Sequence, residues 1–218
     1  HLANGGTPNW GTNWGAGDVM YANLDGKEGV NNGSNTLEDH GDLTIIGNNT
    51  PRYNFGLTLT GAWKGFDFSV FLQGVMKRDY WLDGPYFWGA NGGLWQSTAF
   101  KEHMDYWRPE GDPLGANTNA YYPKPYFNTD KNQKVQSGYL QNAAYCRLKN
   151  AQIGYTLPKI WTRKAAMESV RVYVSGDNLV TFSGISGVFD PELLGSDWGD
   201  GKLYPLQRTI SIGLNVNF

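Results

Sequence analysis

Between residues 77 and 108 the chain carries nine aromatic rings: Tyr80, Trp81, Tyr86, Phe87, Trp88, Trp95, Phe100, Tyr106 and Trp107. Two chemistries suit such a run. Exposed indoles stack on the faces of sugar rings, which makes Trp81, Trp88, Trp95 and Trp107 the substrate-binding candidates. Buried rings instead pack a loop against itself or a partner, because aromatic side chains dominate core and interface energetics. A second cluster is acidic: Asp25, Glu28, Glu38, Asp39 and Asp42. Oxygen ligands at close spacing suit calcium, and Asp25, Asp39 and Asp42 are its candidates. An EF-hand loop, however, needs oxygens at alternate positions closed by a bidentate acid. That spacing is missing, so a solvated acidic loop is the plainer account.

Enzyme chemistry has little to work with. His1, His40 and His103 are scattered, with no His-x-x-x-His metal pair. No Gly-x-Ser-x-Gly elbow and no phosphate-binding Gly loop ending in Lys-Ser/Thr occurs. Cys146 is the single cysteine, which excludes an internal disulfide and a cysteine-based zinc finger, and no His or acid stands out as its catalytic partner. The expectation is a protein that is not an enzyme. Eighteen Lys and Arg against twenty Asp and Glu leave a net charge of -2, without the basic footprint of a nucleic-acid binder.

The elements that must position these residues are strands. Glycine and proline number 29 and 10, too many for a coiled coil. No run of 18 apolar residues offers a membrane-spanning helix. At 206–218 six of the seven same-parity residues are apolar (Leu206, Ile210, Ile212, Leu214, Val216 and Phe218, with Arg208 the exception), and no large apolar side chain occupies the other parity. Strict period two marks a strand with one oily and one polar face. At about 3.4 Å per residue it extends roughly 40 Å, and tilted near 45° it crosses about 30 Å, a bilayer core. Segments 53–63 and 66–76 repeat the pattern around the turn Lys64-Gly65. In that register Trp63 faces Phe66, Leu59 faces Val70 and Leu57 faces Leu72, so the two oily faces coincide. Segments 147–157 and 170–181 complete the set.

The connections run through 64–65, 77–146, 158–169 and 182–205. Short turns on one edge and long loops on the other are the arrangement of an outer-membrane barrel. Residues 1–51, rich in Gly and Asn, read as another loop on the long-loop edge. The 77–146 loop has room for a short helix near Thr98–Tyr106, and 159–168 for one or two helical turns. Five strands do not close a barrel, and an open sheet leaves edges unpaired in lipid. The chain, which starts at His1 without Met, therefore reads as the tail of a larger barrel. Leu57, Leu59, Phe68, Val70, Leu72, Ile210, Ile212, Leu214 and Val216 are the lipid-facing candidates. Thr58, Thr60, Ser69, Gln73, Asn150, Gln152, Thr209, Ser211, Asn215 and Asn217 are the inward ones.

From Gly17 to Phe218 the chain resembles the C-terminal portion of the SusC/RagA-like TonB-dependent outer-membrane transporters. The resemblance rests on GDVMYANLDG (17–26), IIGNNTPRYNFGLTL (45–59), KGFDFSVFLQGVMKRDYW (64–81), YFWGANGG (86–93) and DYWRPEGD (105–112). It continues through YLQNAAYCRLKNAQIGYTLP (139–158), RVYVSGDNLVTF (171–182) and YPLQRTISIGLNVNF (204–218). It implies a fold: the last five strands of a 22-stranded barrel, with a plug and an energy-coupling segment upstream. It implies partners: a SusD-like surface lipoprotein as lid, the TonB complex through the missing N-terminal part, the barrel-assembly machinery reading Phe218, and outer-membrane lipid. The implied activity is import of an oligomeric nutrient, glycan or peptide. The family's Asp-rich calcium-like loop is altered here, with Lys27 and Glu28 where Asp-Gly is usual. Its aromatic loop motif recurs in members with different cargo, which favours a packing role for the rings.

Two other accounts fit parts of the chain. A soluble β-sandwich carbohydrate-binding module would turn the oily faces inward beneath a second sheet. A passive porin or autotransporter shares the wall but lacks the ordered motifs.

Overall fold

In the computed structural model, which describes residues 14–90, 97–127, 129–195 and 200–218, the period-two segments form one antiparallel sheet. Its strands are β1 (Arg52–Trp63), β2 (Phe66–Lys77), β5 (Tyr145–Thr156), β6 (Ser169–Ser183) and β7 (Thr209–Asn217), in that spatial order. A short pair, β3 (Asp79–Tyr80) with β4 (Gln141–Asn142), forms a separate two-stranded sheet. The sheet of five is open: β1 and β7 lie at its edges and are not paired with each other. No described helix is long and apolar enough to cross a membrane.

The β1–β2 hairpin has the register its alternation predicts, with Leu57 opposite Leu72, Leu59 opposite Val70 and Trp63 opposite Phe66. Both turn residues have positive φ, Lys64 at 46° and Gly65 at 91°. That is what a two-residue type I′ turn requires, and Gly65 meets it without a Cβ penalty.

Further along, simple alternation breaks. Pairing of β5 shifts on both sides around Lys149: Leu148 faces Leu72 and Val180, whereas Asn150 faces Phe71 and Asp177. Lys149 is the extra residue of a β-bulge. Leu148 and Cys146 therefore share the side of Ala151, Ile153 and Tyr155, and Arg147 falls on the polar side.

The last strand is shorter than the 206–218 pattern, spanning nine residues from Thr209. Residues 206–208 follow Pro205 and spend hydrogen bonds elsewhere. The Leu206 amide donates to Asp190 Oδ2 at 3.2 Å, and Asn178 Nδ2 donates to the Gln207 carbonyl at 3.1 Å. The ladder portion extends roughly 30 Å at about 3.4 Å per residue, rather than 40 Å.

The chain divides into two compact units. One comprises Asn48–Tyr80, Gln141–Leu194 and Lys202–Phe218, and holds both sheets. In its 158–169 connection lie α2 (Lys159–Thr162) and a 3-10 turn at Arg163–Ala165. The other comprises His1–Gly47, Trp81–Leu140 and Gly195–Gly201. Most of what reads in the sequence as two separate loops, 1–51 and 77–146, thus belongs to one unit with its own core. Val30, Leu82 and Phe87 are at most 2% exposed there. Its regular pieces are short: α1 (Pro85–Trp88) and 3-10 turns at Lys101–Met104, Lys131–Gln133 and Ser137–Tyr139.

Candidate functional site

In the loop-derived unit the aromatic run mostly packs on itself. Trp88 is 6% exposed. Its ring lies 5.1 Å from Phe87, 5.0 Å from Tyr139 and 5.8 Å from Trp81. Trp81 and Trp107 are half-buried. The Trp107 ring lies so close over Gly17 that a Cβ at that glycine would stand 2.4 Å from it. Trp95 lies outside the described residues. Trp88, as part of this cluster, presents no open face for stacking, and the described indoles follow the packing alternative.

A buried ion pair supports this unit. Lys131 Nζ stands 2.8 Å from Asp18 Oδ2, and both side chains are 2% exposed. The ammonium also lies 4.3 Å from the Tyr126 ring centroid and 5.0 Å from that of Trp14. Asn132 Nδ2 donates to Asp18 Oδ1 and to the Lys124 carbonyl, and its oxygen accepts from the Val19 amide. Burial pushes the Asp18 carboxyl up, but the donors from Lys131, Asn132 and Gly15 outweigh it and hold the group below the usual carboxylate range. Burial pulls Lys131 down, and Asp18 more than restores it, leaving the ammonium above its ordinary value. These partners lie far apart in sequence and follow no local spacing, so only the fold reveals them.

His103 is a positioning group here. Its Nδ1 accepts from the Phe100 amide at 3.0 Å, and Nε2 lies 3.1 Å from the Phe87 carbonyl and 3.2 Å from that of Tyr86. An accepting Nδ1 fixes the proton on Nε2, where it meets the carbonyls.

The acidic candidates do not converge. Asp42 accepts from the amides of Leu24, Asp25 and Asn31. Asp39 accepts from the Ser34 amide and hydroxyl. Asp25 pairs with Lys27 at 3.3 Å. Burial raises Asp42 slightly, but its three amide donors hold it below the ordinary value. Among the described residues, no group of three or more His, Cys, Asp or Glu side chains is placed to hold a metal ion.

In the sheet unit, cross-strand rows sort the side chains into two faces. One row reads Leu59, Val70, Ala151, Gly176, Ile210; the next reads Gly61, Phe68, Ile153, Val174, Ile212; a third reads Trp63, Phe66, Tyr155, Val172, Leu214. Leu57 and Leu72 begin a further row through Leu148 and Val180, and Val216 pairs with Val170. This face is open: Leu57 is 47% exposed, Leu59 49%, Phe68 49%, Ile210 69%, Ile212 80% and Leu214 62%. Val70, Leu72 and Val216 are half-buried. Phe218, just past β7, is 89% exposed.

The opposite face is polar. Thr60, Ser69, Gln152, Ser175 and Ser211 form one row across all five strands. Beside it Arg171 of β6 reaches across β5 to pair with Asp67 of β2. It passes over Gly154, where a Cβ would stand 2.4 Å from Nη2. Arg147, 3% exposed, donates to Thr181 Oγ1 at 2.7 Å and pairs with Asp190 at 2.7 Å and Glu192 at 2.9 Å. Lys149 reaches Glu192 at 3.0 Å. These contacts tie the Asp190–Glu192 segment of the β6–β7 connection to the polar face. Burial raises Asp190, but the Glu192 amide and Arg147 hold its carboxyl below the ordinary range. The four charges were absent from the sequence candidates, since the bulge that turns Arg147 inward leaves no periodic signal.

Known proteins resemble this chain over most of its length. A TonB-dependent receptor of Formosa agariphila is 30% identical over 215 residues, which is 93% of this chain and 19% of the relative. The TonB-dependent receptor SusC of Bacteroides thetaiotaomicron is 26% identical over 193 residues, 86% of this chain and 17% of that protein. Among solved structures, the RagAB peptide transporter matches with a TM-score of 0.57 and 26% identity, over 80% of this chain and 18% of its own. The closed-closed state of the RagAB peptide importer matches with a TM-score of 0.59 and 25% identity, over the same shares. No family model matches. The chain spans about a fifth of the length of the curated relatives it matches.

Proposed function

From its kinship with the SusC/RagA-like TonB-dependent transporters, we propose that this chain is a wall-and-loop portion of an outer-membrane barrel that imports an oligomeric nutrient. The complete barrel has 22 strands, of which these are the last five. Its oily face meets outer-membrane lipid, and its polar face meets the plug or the lumen. The loop-derived unit lies on the cell surface, beneath a SusD-like lipoprotein lid. TonB drives release through a plug that lies upstream in the whole protein. Glycan and peptide both stand as cargo, with SusC and a peptide transporter among the relatives.

The single observation that carries this reading is the open apolar face, continuous across five strands, with Ile212 at 80% exposure. In water such a surface far exceeds the few hundred Å² patches tolerated by soluble monomers. Lipid gives it a solvent. A soluble sandwich module would cover it with a second sheet, and the one other sheet among the described residues is the two-residue pair of β3 and β4.

Cell fractionation and uptake test the proposal. The full-length protein should partition with outer membranes and require detergent for extraction. Growth on its nutrient should fail equally when the transporter or TonB is deleted. Recovery from the soluble fraction without detergent, or TonB-independent uptake, contradicts the proposal.

A further inference from the structure

Within the loop-derived unit a cavity of about 410 Å³ is lined by Trp88, Tyr106, Tyr122, Tyr126, Phe127 and Gln133, among others. Its volume lies in the range of small-molecule sites. Two buried polar atoms in this lining have no partner: the Trp88 indole N–H and the Gln133 side-chain oxygen. Trp88 is 6% exposed, so its N–H is shut off from bulk water. Gln133 already spends its amide group, donating to the Ala90 carbonyl at 2.6 Å. Orphaned groups of this kind are few in native proteins, and each costs about 1–3 kcal/mol if left unmet.

Other polar lining groups are committed. His103 is held by the Phe100 amide and two carbonyls, and Asn132 by Asp18, Val19 and Lys124. No carboxylate lines the cavity, so nothing there calls for a cation. A sugar would bring a hydroxyl on nearly every carbon to a wall made mostly of rings. A ring bearing one group that accepts from Trp88 and donates to Gln133 matches what is missing.

We propose that this cavity is a ligand site for a neutral aromatic group carrying one donor-acceptor function, a phenol hydroxyl or a secondary amide. The ring packs among Tyr106, Tyr122 and Tyr126, and the single polar function closes both orphaned hydrogen bonds. The site belongs to the loop-derived unit alone and does not depend on import.

Ligand-observed NMR titration of the full-length, detergent-purified transporter tests it. The probes are p-cresol for the phenol source, N-acetyl-phenylalaninamide for the peptide source, and toluene and maltose as controls. At least one of the first two binds saturably, and tenfold or more tighter than either control. Trp88→Phe and Gln133→Met each weaken that binding fivefold or more. Ala99→Trp, at an exposed lining position away from the buried core, abolishes it; heat-modifiable gel migration confirms that each variant is assembled. The proposal is overturned if neither aromatic probe binds saturably, if maltose binds more tightly, or if Ala99→Trp leaves affinity unchanged. Import retained without aromatic binding sinks this proposal alone. Binding retained without import sinks only the transport reading.

Discussion

Asp18 and Lys131 are buried together, and a buried pair is most sensitive to losing one partner. Asp18→Asn leaves an ammonium enclosed by protein without its counter-charge, a loss of about 3–5 kcal/mol. Limited proteolysis of the 14–47 and 97–140 segments should accelerate sharply in that variant. The pH dependence follows from the two shifts. Asp18 is lowered in the fold, so its contribution is complete above its ordinary value of 3.8 and is lost as pH falls through the lowered one. Lys131 is raised, so its contribution is complete below 10.5 and is lost as pH climbs through the raised value. Protease resistance of the unit should therefore be flat between those limits and fail first on the acid side. Gly154 is a different kind of position. Gly154→Val puts a side chain where the Arg171 guanidinium crosses to Asp67, and moving that group forfeits the pair. The variant should weaken assembly by about 1–3 kcal/mol, and Asp67→Asn should largely remove the difference between Gly and Val at 154. Urea titration of the folded barrel reads both.

At the scale of the element, the strands were legible wherever period two ran uninterrupted. The β1–β2 hairpin shows why: Lys64-Gly65 and two coincident oily faces define a register that the structure has, residue for residue. The pattern of β5 was legible only from Asn150 onward, because Lys149 resets the phase and no residue type announces a bulge. The start of β7 was overestimated because Leu206 continues the parity while its amide serves Asp190 instead of a neighbouring strand. The facing of β7 predicts an asymmetric response to substitution. Ile212→Arg near the bilayer midplane should cost roughly 2–4 kcal/mol, while Asn215→Ser on the polar face should be mild. Equal small effects on the yield of heat-modifiable barrel would contradict the facing.

At the scale of the whole molecule, what the sequence concealed is that segments 1–47 and 81–140 share one core. Its contacts join residues such as Asp18 and Lys131 across long stretches of chain, and neither periodicity nor turn chemistry records such pairings. The aromatic run announced that something was packed or bound, yet the closeness of Trp88 to Phe87 and Tyr139 needed the fold to appear. Ordered family motifs carried further than any local pattern, because they span both units.

Everything functional depends on hydrocarbon touching the face that carries Ile210, Ile212 and Leu214. The most direct test places nitroxide labels singly at positions 209 to 217 of the full-length transporter in bilayers, and compares accessibility to oxygen with accessibility to a water-soluble nickel chelate. The account predicts period-two oscillation, with oxygen favoured at the even positions 210, 212, 214 and 216 and the opposite bias at 211 and 215. Accessibility without alternation, or oxygen favoured at 211 and 215, would contradict it.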